Sequence, residues 1–412
     1  MKMKLTYYLF VGMLTIFHAQ AQENNHALQQ ILQMVESNNK DLKANQQITT
    51  AQKAKNRSEN NLANPTLSYA HLWDSKNSEK TVGEIVVSQS FDFPSLYISR
   101  SKVNRLKAGS LDAQSMAQRQ QILLQAQEVC LDIIYLYQQQ QLLDERLKNA
   151  ENLCSYYQQR LEKGDANILE TNKINLELLN VRTEVRTNST NLHNKLKELL
   201  LLNSGQPLTP GRSMLERQIP QAQALGLTQY PTVNLPTDFT SICDELVNST
   251  PTVLAAVRQN EATHLEVSVN KQGWLPKLEI GYRRNTENGH PLNGVVVGMS
   301  FPIFENRNKV KIAKAQALSS NYQKENITLL TKSALWKLYD EACTLQTSIR
   351  EYQDTFTQQK DLELLKKALI GGEINIIEYF VEISIVYQSK QNLLALENQY
   401  QKTMARIYQS KL

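Results

Sequence analysis

Apolar runs of bilayer-spanning length are missing from this sequence. Mean hydropathy is −0.44, and beyond the first twenty residues charges interrupt every apolar stretch. No transmembrane helix is therefore predicted, and entry into a membrane would have to use β-strands, whose alternation barely registers in hydropathy. Charge of one sign is lacking as well. The formal net charge of +5 is spread along the chain, which is no electrostatic footprint for nucleic acid. The four cysteines, Cys130, Cys154, Cys243 and Cys343, are irregularly spaced and form no CxxC. They read as helix-packing thiols, and nothing in the spacing supports a disulfide or metal pair. There is no GxSxG, HExxH, P-loop or dinucleotide fingerprint. No enzyme is expected, and no catalytic residue, cofactor or metal site is assigned. The histidines are scattered. His193 and His264 fall in helical patterns, while His71 and His290 lie near strands and could touch passing metal only as lone ligands.

Glycine and proline are scarce, and their absence is informative. Neither occurs between Gln22 and Asn64, Ser110 and Lys163, Asp165 and Ser204, Glu305 and Ile370, or Glu373 and Leu412. These are the costliest residues in a helix interior, so the five stretches read as helices. Apolar residues recur in them at three- and four-residue steps, as in Ile122, Ala126, Val129, Ile133 and Tyr137, which makes a coiled-coil-like seam. A helix from Ser95 to Lys163 would be about 100 Å long. A seam of that length must pack beside other long helices.

The first residues form an export signal. Lys2 and Lys4 precede the apolar stretch Leu5–Phe17, and Ala19-Gln20-Ala21 supplies a small-x-small cleavage site. Residues 1–21 are expected to be removed, leaving Gln22 first. With no cysteine after the site, lipid anchoring is not expected.

The remainder says the same thing twice. Asn64-Pro65-Thr66-Leu67 parallels Leu275-Pro276-Lys277-Leu278; Val86-Val87-Ser88-Gln89-Ser90-Phe91 parallels Val296-Val297-Gly298-Met299-Ser300-Phe301; and the segment from Leu161 to Glu170 parallels that from Leu369 to Glu378. The offsets are 211, 210 and 208 residues. Each repeat, 22–203 and 238–412, has a helix, a strand pair (65–93 and 276–303), a very long helix, a Gly turn and another long helix. The segment 204–237, rich in Pro and Gly, reads as an irregular linker on the outside of the helices.

The strands alternate. Leu67, Tyr69, His71 and Trp73 lie opposite Ser68 and Ala70, and Val295, Val297, Met299 and Phe301 lie opposite Val296, Gly298 and Ser300. Such strands suit a boundary between lipid and a wet lumen. The polar connections, Asp74–Thr81 and Asn285–Asn293, should face outside, with the helices in the periplasm. Four strands cannot close a membrane barrel, which needs about eight, and an open edge in lipid is not tolerated. Several copies must share one barrel. Two would give a filled eight-stranded barrel and three a twelve-stranded channel, and the sequence leans only slightly to three.

This duplicated plan, with a Gly turn followed by an acidic residue, resembles the outer-membrane efflux protein family typified by TolC. The resemblance implies a homotrimer with a twelve-stranded β-barrel and a tunnel of α-helical hairpins. It implies an exit duct in a tripartite efflux or type I secretion system, with a periplasmic adaptor protein and an inner-membrane transporter as partners. It further implies that the turns at Gly164 and at Gly371-Gly372 are periplasmic tips, and that Glu170 and Glu378 line an aperture. Threefold copies of each would form a cation-favouring ring, to which Glu382, one turn on, could add. Some family members close the tip with an Arg two residues after the second Gly. Here that position is Ile374, and its counterpart is Ala166, so Ile374, Ile376 and Ile377 are read either as apolar packing that closes the tip or as an adaptor contact.

A rival explanation exists for both acids. Asn167-x-x-Glu170 and Asn375-x-x-Glu378 have capping-box spacing, and a cap alone would keep Glu in both places. The rival for the whole chain is a periplasmic coiled-coil scaffold without a pore, which accounts for the helices and the export signal but not for two equivalent alternating strand pairs.

Overall fold

The computed structural model describes residues 26–73, 81–165, 167–208, 222–287, 290–358 and 361–412. The expected export signal 1–21, most of the first polar loop (74–80), Ala166 and linker residues 209–221 lie outside the described residues.

Thirteen principal elements run in order: α1 (26–38), α2 (Lys40–Ser58), β1 (Thr66–Trp73), β2 (Thr81–Phe91), α3 (Pro94–Glu162), α4 (Ile168–Leu202), α5 (Phe239–Ser249), α6 (Pro251–Gln272), β3 (Lys277–Glu287), β4 (His290–Ser300), α7 (Lys309–Gln358), α8 (Asp361–Gly371) and α9 (Ile376–Ile407). This is the expected class, long helices with four antiparallel strands. The longest helix, α3, falls within one residue of the expected bounds at each end.

One expected helix is two. The breaker-free stretch 22–64 is interrupted at Asn39, between α1 and α2. Side-chain chemistry replaces Gly and Pro as the stop signal. Asn39 Oδ1 accepts from the Leu42 N–H at 3.0 Å, an N-cap for α2, while Asn39 Nδ2 donates to Leu202 O at 2.9 Å. The Lys40 N–H donates to Ser204 Oγ at 3.0 Å, and Asn38 bonds Asn203 at 3.0 Å. The end of α4 thus holds the break open, a long-range cause that no local pattern shows. The second repeat breaks at Thr250, with Pro251 opening α6. Thr250 lies 211 residues after Asn39, the offset already found between the strand pairs.

The chain forms two compact units, each drawing on both repeats. The first comprises, among the described residues, 26–42 and those within Gln118–Leu246 and Ser333–Leu412. Its main core packs Leu28, Ile31 and Val35 of α1 against Leu123–Tyr137 of α3 and Leu192, Leu196 and Leu199 of α4. Each such fully buried Leu or Ile contributes about 1.5–3 kcal/mol. Residues 222–237 lie on this core: Ala222 and Leu227 are buried in it, Tyr400 donates to Val233 O at 3.4 Å, and Tyr339 donates to Pro236 O at 3.1 Å.

The second unit, Lys43–Ala117 with Val247–Lys332, contains the sheet. Its helical segments are joined by polar bonds. Ser110 Oγ donates to Ala255 O at 2.9 Å, Asn104 to Asn56 O at 2.8 Å, and Lys107 pairs with Glu266 at 2.6 Å. The strand order is β1-β2-β3-β4, antiparallel throughout. The central β2–β3 pairing unites the hairpins of the two repeats, and β1 and β4 are left as edges. Among the described residues no helix is long and apolar enough to cross a membrane.

Candidate functional site

Register decides what the sheet can do. Cα partners in an antiparallel pair point to the same side, so the pairings sort the strand residues into two faces. One face has Leu67, Val87, Tyr282 and Val295 in one row and Ile280 paired with Val297 in another. The opposite face has Ser68, Val86, Arg283 and Gly294, then Thr66, Ser88, Gly281 and Val296. The four alternating patterns therefore add up to a single apolar face backed by a small and polar one. Among the described residues no core covers the apolar face: Leu67 is 74% exposed and Val297 76%. Contiguous apolar surface of this kind marks contact with lipid or protein.

The polar face is built for close approach. At Gly281 a Cβ would lie 2.7 Å from Val87 O and 2.8 Å from Ser88 Cβ, so a larger residue would push β2 and β3 apart. Beside it Arg283 and Glu84 form a two-bond ion pair, Nε to Oε1 and Nη2 to Oε2, each 2.8 Å. His71 and His290 lie on opposite faces, so the structure does not bring them together.

The helix tips belong to the first unit and are near copies of each other. At the first, Gly164 takes φ +79°. The Asp165 N–H donates to Arg160 O at 2.8 Å and the Gly164 N–H to Leu161 O at 3.0 Å, the bond pair of a Schellman stop. At the second, Gly372 takes φ +77°, with Glu373 N–H to Ala368 O at 2.9 Å and Gly372 N–H to Leu369 O at 3.2 Å. Gly371 is different: it is the last residue of α8 and has no positive φ.

Each turn leads into a capping box. Asn167 Oδ1 accepts from the Leu169 N–H at 3.0 Å, and Glu170 returns a carboxylate oxygen to the Asn167 N–H at 3.1 Å. Asn375 Oδ1 accepts from the Ile377 and Glu378 N–H groups at 2.9 and 3.0 Å, and Glu378 returns to the Asn375 N–H at 2.9 Å. Glu378 and Glu382 are exposed, while Glu170 is half-buried. Burial, and next the Glu170 charge, raise the Tyr157 hydroxyl above its ordinary range.

The three isoleucines at the second tip part company. Ile376 is buried with Tyr157, Ile174 and Tyr379, and Ile374 packs against that cluster. Ile377 is 52% exposed. The structure also shows an arginine that sequence reasoning missed. Arg160 donates to Asp165 O at 2.8 Å and stacks over Tyr157 at 5.5 Å, clamping the first turn from four residues before the Gly. Farther along, Arg146 pairs with Glu177 at 2.6 Å and Glu184 at 3.0 Å and lies over Tyr387 at 5.5 Å, tying α3, α4 and α9 together. An Arg spaced to meet two acids one helix away leaves no signature in a local motif.

Comparison with known proteins yields likeness in structure alone. No family model matches the chain, and no curated protein matches it. Among solved structures, the fold is similar to that of CusC, a protein that forms a transmembrane channel, with TM-score 0.76 at 16% identity over 93% of this chain and 92% of CusC. It is similar to the Campylobacter jejuni CmeC outer membrane channel, with TM-score 0.73 at 14% identity over 93% of this chain and 85% of CmeC. It is similar also to the Vibrio cholerae outer membrane protein VceC, with TM-score 0.69 at 14% identity over 94% of this chain and 96% of VceC. At these identities the likeness establishes the fold, and it is the TolC-like fold that the sequence resemblance implied.

Proposed function

We propose that this chain is a subunit of an outer-membrane channel, exported by residues 1–21 and assembled as a homotrimer. Three sheets of four strands close a twelve-stranded barrel, β4 of one copy pairing with β1 of the next. The helices extend into the periplasm as a tunnel. The observation that carries this reading is the sheet: one apolar, uncovered face, one small and polar face, and two open edges. In lipid such edges must be paired, and only further copies can pair them. A scaffold in water would have to leave the apolar face wet.

The channel conducts passively as the exit duct of a tripartite efflux or type I secretion system. A periplasmic adaptor and an inner-membrane transporter supply coupling and energy. The tips at Gly164 and Gly372 form the periplasmic end, with Glu170 and Glu378 lining its aperture and Glu382 one turn above. Their capping role does not compete with this one, since only one oxygen of each carboxylate returns to a backbone N–H.

The test is to express the full chain, fractionate the membranes and extract the protein in mild detergent. A trimer by mass that gives discrete conductance steps in a planar bilayer is expected. A monomer recovered from the periplasm without detergent and silent in bilayers would overturn the proposal.

A further inference from the structure

The apolar face is unevenly polar along its length, and its one charge is positive. Among the described strand side chains it carries no carboxylate; Glu84 and Glu279 fall on the opposite face. Its only charged side chain is Arg284, which shares a row with Tyr69, Ile85 and Asn293 near the polar loops. The next row toward the loops holds His71, Gly83 and Thr286.

Gly83 opens a notch there. A Cβ at that position would stand 3.5 Å from Tyr69 Oη and 3.8 Å from Thr286 Oγ1, and Tyr69 Oη lies 3.4 Å from His71 Nδ1. The notch therefore gathers two hydroxyls and an imidazole beside a guanidinium, with no acid among the described strand residues of that face. Depth agrees with this placement. From Asn293, the partner of Arg284, to Phe301 is about 26 Å along the strand, or about 20 Å of depth at a tilt of ~40°, against an apolar band of about 25 Å. Arg284 stands at the upper edge of that band, where headgroups begin.

We propose that this notch binds the phosphate of an anionic lipid headgroup in the outer leaflet, Arg284 supplying the charge and Tyr69, His71 and Thr286 neutral hydrogen bonds. Arg284 is the specificity-determining residue, because a guanidinium matches a phosphate with paired donors. The inference rests on the channel reading, which puts this face in lipid with the loops outside.

The test uses the full-chain oligomer in detergent, titrated with bis-phosphorylated lipid A, with the same lipid stripped of phosphate, and with inorganic phosphate, and read by native mass spectrometry. Wild type should retain the phosphorylated lipid and release the stripped one. Arg284→Gln should weaken retention about tenfold, Arg284→Lys should restore part of it, and Thr286→Val should weaken it less. Equal retention by Arg284→Gln, or equal retention of the stripped lipid, would overturn the site. Displacement by millimolar inorganic phosphate would make it a free-anion site and overturn the lipid assignment. Loss of the oligomer in wild type would instead sink the channel reading and this inference with it. An intact conducting oligomer indifferent to phosphate would sink this inference alone.

Discussion

Glu170 and Glu378 close capping boxes, and one pair of variants separates that role from the proposed aperture role. In each capping box the carboxylate returns an oxygen to the N-cap N–H, at 3.1 Å for Glu170 and 2.9 Å for Glu378. Glutamine keeps a carbonyl oxygen in the same place and loses only the charge. Alanine loses both. For stability, Glu→Ala should cost about 1 kcal/mol per tip, the sum of one surface hydrogen bond and one charge at a helix N-terminus. Glu→Gln should cost less than half of that. The two tips together should lower the melting temperature of the Ala double variant by roughly 2–4 °C, and that of the Gln double variant by about 1 °C.

Conduction should divide the variants differently. In the proposed trimer the two positions would place six carboxylates at one end of the duct. Removing six charges acts on permeant ions within a Debye length, about 10 Å at 0.1 M salt. Both double variants should therefore lower the cation-to-anion permeability ratio to the same extent, measured as reversal potential across a planar bilayer under a tenfold salt gradient. Glu378 is exposed and Glu170 half-buried, so the single Glu378→Gln should account for the larger share. If the Gln double variant keeps the wild-type ratio while the Ala variant merely melts earlier, the acids are caps alone and the aperture assignment is wrong.

Three further outcomes follow from particular contacts. Gly281→Ala drives a Cβ to 2.7 Å from Val87 O and should cost about 1–3 kcal/mol, seen as loss of the heat-modifiable oligomer on gels with the helix content by circular dichroism unchanged. Gly372→Ala meets no atom within 4 Å but sits at φ +77°; it should cost about 1–2 kcal/mol of backbone strain, whereas Gly371→Ala, at a helix end, should be neutral within about 0.5 kcal/mol, compared by denaturant midpoints. Burial raises the Glu397 carboxyl above its ordinary range, with the Gln353 amide offsetting part of the rise. A raised folded value means stability falls as pH climbs from about 4.5, the unperturbed value, through the folded value. Glu397→Gln should then melt above wild type at pH 7, and the gap should close below pH 4.5; a constant gap would contradict the burial argument.

What could be read in the sequence was whatever repeats or alternates locally. The expected bounds Ser95–Lys163 lie within a residue of α3 at each end, although the breaker-free stretch begins only at Ser110 and Gly109 sits inside the helix, and two-residue alternation grouped the named apolar residues of each strand on the face that the register gives them. The Asn-x-x-Glu spacings announced both capping boxes before any bond was visible. What escaped notice depends on partners far along the chain. The break at Asn39 is made by Leu202, Asn203 and Ser204. Arg146 matters because Glu177 and Glu184 face it from α4. Arg160 holds the first turn by donating to Asp165 O from four residues before Gly164, a contact distinct from the tip latch expected two residues after the second Gly. The four-residue step back to Arg160 was the available signal, since a side chain one helical turn before a Schellman glycine points at the carbonyls that the turn leaves open.

Both compact units contain segments from both repeats, and this constrains how the repeat is used. A single hairpin would be a two-stranded ribbon, marginal at best in water. The β2–β3 pairing of Val82–Phe91 with Leu278–Glu287 joins the two hairpins into four strands, while edges remain at β1 and β4. Duplication thus solves one edge problem and leaves another of the same kind. The remaining edges are equivalent to the ones already paired: β4 corresponds to β2, and β1 to β3, at offsets near 211 residues. A β4-to-β1 contact between copies therefore repeats, in sequence terms, the β2-to-β3 contact within one. The chain already pairs its repeats in this manner, so the proposed assembly repeats a contact made within one copy and requires only enough copies to close the circle.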